Sequence, residues 1–317
     1  MHIRFWGVRG SLPSPELSFQ IKDKITAILQ RITLEDIKNQ SARERFISDL
    51  PPWLFGTVGG NSPCVSLEFD KDKDNNAELL IFDSGSGIRE LGIFLDNEKT
   101  INYRPHIFFS HFHWDHIMGL PFFNAAYNPK IKINFYSPKA DLESVLQDQM
   151  RHPYFPINMD AMGAAKQYNV LKGPIKLKNC KISYKKMKHP GDSYAYKVDN
   201  GKGTFIYSTD SELSANDFIK NEENNAFFAS ADVLVMDSQY TLGEAIEKYN
   251  WGHSAFSMAV DFAANWDIKH MVLFHHDPAY NDQKLYNNLQ AAKWYTEKMN
   301  LKGLKISLAT EGMEIKI

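Results

Sequence analysis

Short apolar, β-prone runs recur along this chain, and the polar residues that follow them constrain the fold more than any other feature. The runs are Ile3 to Trp6, Leu79 to Phe82, Ile107 to Phe109, Ile131 to Tyr136, Thr204 to Tyr207, Val233 to Met236 and Met271 to Phe274. Each reads as a strand. Cys64 to Phe69 and Glu78 to Phe82, divided by the charged turn Asp70 to Asn76, read as a hairpin. Asp83, His111, Asp210, Asp237 and His275 all stand at the carboxyl ends of these expected strands. Clefts at strand carboxyl ends are where α/β folds bind ligands and place catalytic groups. Any one of the five, taken alone, reads more readily as a turn or capping residue than as a ligand; five in one position class point to a site.

One of these ends carries His111-Phe112-His113-Trp114-Asp115-His116, four metal-type ligands within six residues. A strand would send 111, 113 and 115 to one face and 116 to the other. All four converge only if the chain leaves the strand at His111 and curls. Imidazole nitrogen and carboxylate oxygen suit zinc, manganese or iron at a hydrolytic centre.

Composition narrows the partners. Lys plus Arg number 36 and Asp plus Glu 38 in 317 residues, so there is no global field to draw nucleic acid or an anionic membrane. The two cysteines, Cys64 and Cys180, are too few for a disulfide framework and read as buried thiols in a reducing compartment. The N-terminus lacks the apolar core of a signal peptide, and no run approaches membrane-spanning length. A soluble, cytoplasmic protein is expected.

Residues 17 to 50 follow another rhythm. Leu17, Ile21, Ile25, Ile28, Leu29 and Ile32 fall at helical spacing among polar residues. Thr33 then reads as the N-cap of a second helix carrying Leu34, Ile37, Phe46 and Ile47, stopped by Pro51-Pro52. This helical pair packs on the body, lids the cleft or joins two copies as a homodimer, and the pattern does not choose among the three.

Six residues cannot fill two coordination spheres, so further ligands are expected downstream. His189 precedes a Pro-Gly turn, Asp210 ends the run Phe205 to Thr209, and His275 ends Met271 to Phe274. With these, five histidines and two aspartates suit two divalent cations sharing one carboxylate. Asp210 also reads as a cap for Ser211-Glu212-Leu213, and His276 as a neighbour of a better-placed ligand.

The chain resembles the metallo-β-lactamase superfamily, whose His-x-His-x-Asp-His signature is met at 111 to 116. Gly59-Gly60-Asn61-Ser62, Asp83 to Arg89, His189-Pro190-Gly191, Ser208-Thr209-Asp210, Trp251-Gly252-His253-Ser254 and Leu273 to Asp277 occur in the family's order. The resemblance covers most of 1–317 as one α/β domain and fails at about 17–56, which looks like a helical insertion. It implies a four-layer αββα sandwich with a dinuclear site at one edge. It also implies that His111, His113 and His189 hold one metal, that Asp115, His116 and His275 hold the other, and that Asp210 bridges them.

Two cations close together lower the pKa of a shared water and clamp an in-line displacement at phosphorus. The leaving alkoxide then needs a proton. His253 opens the helix-like segment Ala255 to Trp266, with Ser254 as its expected cap. Its position resembles the acid-donating histidine of the superfamily's phosphodiesterase branch, which includes transfer-RNA 3′-processing nucleases and cyclic-phosphate phosphodiesterases. The expected enzyme is therefore a dinuclear phosphodiesterase, with His253 as general acid and Asp115 in both a catalytic and a metal role. Its metals are zinc, with manganese or iron as the other options. The chain has no basic stripe for a folded RNA, so a small phosphodiester, foremost a 3′,5′-cyclic nucleotide, is expected in preference to nucleic acid. Phe122, Phe123, Tyr154 and Phe155 are candidates for stacking a base, and Arg9 and Asn61 for reaching a phosphate. Ester, lactone or thioester hydrolysis, RNA processing, and a non-catalytic metal-binding scaffold or sensor are the competing readings.

Overall fold

The computed structural model describes residues 1–98 and 100–317. Among these, fourteen strands form two sheets. In chain order they are β1 (His2–Gly7), β2 (Cys64–Glu68), β3 (Asn76–Phe82), β4 (Asn102–Phe108), β5 (Lys132–Ser137), β6 (Ala165–Val170) and β7 (Ile175–Leu177). They continue as β8 (Cys180–Met187), β9 (Ser193–Asp199), β10 (Thr204–Ser208), β11 (Val233–Asp237), β12 (His270–Phe274), β13 (Lys305–Leu308) and β14 (Glu314–Lys316). One sheet has the order β14-β1-β2-β3-β4-β5-β6 and the other β13-β12-β11-β10-β9-β8-β7. All seven expected strands are present, and β2 and β3 pair antiparallel as the hairpin reading requires.

Side-chain alternation explains why the runs are apolar throughout. In β3, Leu80 and Phe82 enter the core between the sheets, whereas Leu79 and Ile81 face a second core under the helices. In β10, Phe205 and Tyr207 face inward and Ile206 outward; in β12, Val272 and Phe274 face inward and Met271 and Leu273 outward. A strand covered on both faces needs apolar residues at every position. The outer cores are closed by helices that include Ile88–Asn97 and Leu142–Gln149 on one side, and Phe256–Asn265 and Asp282–Lys298 on the other. The result is the αββα sandwich. Its centre is aromatic: Phe108 stacks on Tyr136 at 4.5 Å and packs edge-on against Tyr196 at 5.4 Å. Truncating a buried aromatic such as Phe82 would cost about 3–5 kcal/mol.

The helical segment departs from the expected pair. The first helix, Ser18–Leu29, buries none of its residues, and Leu17, Ile21, Ile25 and Leu29 are exposed. Lys24 tethers it through Gly56 O at 2.8 Å and Asp282 Oδ2 at 2.7 Å. The second helix is broken in two. Thr33 caps Leu34–Ile37, its hydroxyl donating to Asp36 at 2.7 Å, and Asn39 caps a separate helix, Gln40–Asp49. A better cap at Asn39, satisfying Ala42 N at 2.9 Å, ends the continuity that the apolar spacing suggested.

Candidate metal centre

Parallel registers bring the strand ends to one rim. Phe82 pairs with Phe108 across β3 and β4, and Asp237 with Phe274 across β11 and β12. The chain leaves β4 at Phe108 and turns into a short helix, Trp114–Ile117, so that the His111–His116 loop curls as expected. The second sheet supplies His189 after β8, Asp210 after β10 and His275 after β12.

All seven expected ligands meet there in two clusters: His111, His113, His189 and Asp210, and Asp115, His116 and His275. Asp210 joins them. Its Oδ2 lies 3.6 Å from His111 Nε2 and 3.7 Å from His189 Nε2. Its Oδ1 lies 3.1 Å from both His116 Nε2 and His275 Nε2. Asp115 Oδ2 is 3.1 Å from His116 Nε2 and 3.3 Å from His275 Nε2, and His189 Nε2 is 3.1 Å from His113 Nδ1. Zinc bonds of about 2.0–2.2 Å in a tetrahedron set ligand atoms about 3.3–3.6 Å apart. The donors fit divalent cations in number, kind and spacing.

The outward nitrogens fit as well. His116 Nδ1 sits 2.8 Å from Asp83 Oδ2, His189 Nδ1 2.9 Å from Gly252 O, and His111 Nδ1 3.0 Å from Ser110 Oγ. Such contacts fix the tautomer and aim the other nitrogen inward. The inward atoms His111 Nε2 and His116 Nε2 are buried without a hydrogen bond of acceptable geometry among the described residues. Buried polar atoms left this way ordinarily have an unseen partner. Asp83 is fully satisfied, accepting from Ser110 N and Oγ at 2.7 Å each and from Tyr207 Oη at 2.9 Å.

Electrostatics point the same way. Burial pushes the His111, His113 and His189 imidazoles below their usual pKa, which leaves them neutral and able to bind a cation. Burial would do the same to His116, but the Asp115, Asp210 and Asp83 carboxylates outweigh it and hold that ring well above its ordinary value. Burial opposes ionisation of Asp210, yet His116, His275 and His111 keep it well below the usual carboxylate range. Three buried carboxylates around one imidazole form a pocket that demands positive charge.

His253 stands at the edge of this pocket, its ring stacked on His275 at 5.0 Å. Its Nδ1 is 2.7 Å from Asp237 Oδ2. Burial lowers its affinity for a proton, but the Asp237 carboxylate more than compensates, and its pKa is raised. With Asp210 and His275 it forms a third ligand-like group. A cleft of about 420 Å³ opens above, lined by Ser11, Phe112, His113, Trp114, Asp115, Asp210 and His253. Ser11 N donates to Asp115 Oδ2 at 2.8 Å and so fixes that carboxylate from a loop next to β1.

Other expectations need correction. Arg9 is buried, with Nε donating to Gly59 O at 2.8 Å, Nη1 to Tyr280 O at 2.7 Å and Nη2 beside Asp282. Asn61 Nδ2 donates to Glu311, and its Oδ1 accepts from Ser86 Oγ at 2.9 Å. Both side chains brace loops through these contacts, and Arg9 lies buried under the rim instead of reaching toward the cleft. Ser254 is not a helix cap: Ala255 takes that position, and Ser254 Oγ donates to Ser211 O and accepts from Leu213 N at 2.9 Å. Asp210 caps no helix, since Ser211 to Leu213 are irregular. His276 turns its Nε2 to Ala309 O at 2.9 Å, away from the clusters, and burial pushes it down to about 3. Phe123 is core, whereas Phe122, Tyr154 and Phe155 line a cavity beside the cleft. Asp83, Asp237 and the Gly252 carbonyl went unassigned in the sequence; the strand-end positions of the two aspartates were the available signal.

Residues 82–276 match the family described as the beta-lactamase superfamily domain, and the chain belongs to it. Within that superfamily it is a metal-dependent hydrolase. It is 25% identical over 254 residues to ribonuclease Z of Prochlorococcus marinus (strain MIT 9303), covering 64% of this chain and 78% of that protein. The metallo-beta-lactamase fold protein YhfI from Bacillus subtilis superposes with a TM-score of 0.62 at 15% identity, over 99% of both chains. Unliganded yeast PDE1 gives a TM-score of 0.62 at 15% identity, over 100% of this chain and 99% of the other. At such identities the two structures establish the fold. Among the described residues no helix is long and apolar enough to cross a membrane.

Proposed function

We propose that this chain is a dinuclear phosphodiesterase hydrolysing a small phosphodiester, foremost a 3′,5′-cyclic nucleotide. We read it as one metallo-β-lactamase domain over 1–317 with a helical insertion at 17–56, acting in the cytoplasm. The observation that carries the reading is His253, which lines the same cleft as Asp115 and Asp210 with the buried Asp237 carboxylate 2.7 Å behind its Nδ1. A thioester hydrolase has less need of a dedicated acid, because a thiolate is a weaker base than an alkoxide and leaves without a proton.

The seven ligands would hold divalent cations, zinc first among them, which would supply a hydroxide near neutral pH and neutralise charge on the phosphoryl oxygens. The remaining roles belong to the chain. Asp237 accepts a hydrogen bond from His253 Nδ1–H and favours the imidazolium, whose Nε2–H protonates the departing alkoxide and leaves a neutral imidazole. Ser254 N, donating to Asp237 Oδ1 at 2.9 Å, fixes the carboxylate and hence the ring. Asp83 and the Gly252 carbonyl hold His116 and His189 in register.

The ribonuclease Z relatives favour a second reading, an RNA 3′-processing nuclease. Charge argues against it. Lys186 is paired with Asp192 and Lys188 with Glu212, while Lys139 donates to Gly191 O. Lysines committed this way near His189 form a poor track for a polyanion. Elemental analysis followed by a panel of bis-p-nitrophenyl phosphate, cyclic nucleotides, pre-transfer-RNA, thioesters and lactones tests the proposal. Two metals per chain and cleavage of cyclic nucleotide are expected. Esterase activity without phosphodiesterase activity would overturn it, RNA cleavage alone would select the second reading, and an inert protein with two metals would mark a scaffold or sensor.

A further inference from the structure

Phe112 and Trp114 alternate with the ligands of the His111–His116 loop, and they line two cavities at once: the cleft above the metal ligands and a neighbouring one of about 480 Å³. The second cavity is walled chiefly by Met118, Phe122, Tyr154 and Phe155, with Phe122 and Phe155 edge to face at 5.7 Å. Trp114 is 85% exposed, Tyr154 72% and Phe122 55%. A cluster of aromatics left in water beside a reaction centre has the composition of a binding site rather than of ordinary surface. Its charge is as informative as its shape. Among the described residues that line it, Asp148 alone is charged and is 3.2 Å from Arg151, so no lysine or arginine lines the cavity to meet a second phosphate.

We propose that this cavity is a subsite for an uncharged, planar apolar substituent of the substrate, a nucleobase or aryl ring, whose phosphodiester lies over the adjacent metal ligands. The inference rests on the phosphodiesterase reading and narrows its substrate class. Phe122 and Tyr154 stack the ring and are specificity residues, not catalytic ones. Continuity through Phe112 and Trp114 lets one small molecule reach both cavities. Stacking on an aromatic side chain changes affinity on the order of 5- to 100-fold per base.

The test compares cyclic AMP with ribose 3′,5′-cyclic phosphate, which carries the same diester without the base, on the metal-loaded full chain. Phe122→Ala and Tyr154→Ala change exposed side chains outside the cleft, and unchanged metal content and melting temperature verify their folding. Each is expected to lower kcat/KM for cyclic AMP about 5- to 100-fold and to leave the base-free diester within about twofold. Equal losses on both substrates, or none on either, overturn the subsite. If neither diester is hydrolysed, the cyclic-nucleotide reading fails, and binding alone decides the subsite. Adenosine should then quench indole fluorescence in the wild type but not in Trp114→Phe, more weakly in Phe122→Ala, and ribose should not quench at all. Absence of adenosine binding overturns the subsite as well.

Discussion

Gly252→Ala tests how tightly the centre is built. Gly252 has φ +92°, and a Cβ there would lie 2.1 Å from His189 Nδ1 and 2.5 Å from Pro190 Cδ. Restoring even a 3.0 Å contact requires His189 to retreat by about 0.9 Å. Metal sites tolerate ligand displacements of only about 0.2 Å. The same move disrupts the 2.9 Å contact from His189 Nδ1 to Gly252 O, the kind of outer support whose loss typically weakens metal affinity about 10- to 100-fold. The left-handed backbone adds about 1–2 kcal/mol of strain for alanine. We expect Gly252→Ala to lose one metal at chelator concentrations that the wild type resists, and to melt at lower temperature. Gly243→Ala, where nothing lies within 4 Å of the added carbon, is the control and should do neither. Titration of the loaded proteins with a chromogenic chelator reads the affinity. Wild-type metal retention in Gly252→Ala would refute the claim that the Gly252 backbone sets the position of His189.

His253→Ala should lower turnover about 10²- to 10⁴-fold, most for substrates with poor leaving groups, with metal content intact by elemental analysis. Metal loss in that variant would instead make His253 a ligand with Asp210 and His275. Asp115→Ala and His116→Ala should each deplete one metal and most activity, and full activity in either would sink the dinuclear mechanism. Acid stability should depend on His270, which burial and then Lys305 push down to about 4. The unfolded chain protonates this ring near pH 6.5 and the folded chain does not, so its contribution is present above 6.5 and lost as pH falls toward 4. His270→Gln should shrink the difference between urea melts at pH 7 and 4.5 by no more than about 2 kcal/mol once solvent screening is allowed for, and an unchanged difference would exclude the assignment.

The ligands were legible because the strands that deliver them are apolar on both faces, so Asp210 and His275 stand out as abrupt polar ends. The strands β6 to β9 were not, because polar residues such as Lys166, Gln167, Lys176, Lys181, Lys185, Lys186 and Lys197 interrupt them. In β8, Cys180, Ile182 and Met187 are buried while the lysines between them are not, which dilutes any apolar run. Arg9 and Asn61 misled for another reason. Their positions near the rim follow from chain order, but their hydrogen bonds depend on Glu311, Tyr280 and Asp282, which are distant in sequence. The helical spacing of 17 to 29 identified a helix correctly and said nothing about what its apolar stripe would face. Asp237 reads as a strand end in the sequence, yet its role needs His253 beside it, and the loop that leads into the helix Phe256–Asn265 brings that ring to it.

Strand parity makes a demand that the backbone answers. Phe82, Tyr207 and Phe274 point between the sheets, so continued extension would send Asp83, Asp210 and His275 outward, under the helices. None of the three continues the strand. Asp83 has φ +59°, Asp210 +45° and His275 +60°, and the left-handed turn in each brings the side chain back over the inner rim. Such residues cost on the order of 1–3 kcal/mol each, and they persist here because each follows a strand buried on both faces and fixed by parallel neighbours. Asp and His are also among the few non-glycine residues enriched in this conformation. The chemistry that binds a cation and the backbone that aims it therefore select the same residue types. Asp210→Ala would remove the bridging oxygens and also place alanine at a positive φ, so its stability loss should exceed that of Asp115→Ala, whose backbone lies in the helix Trp114–Ile117.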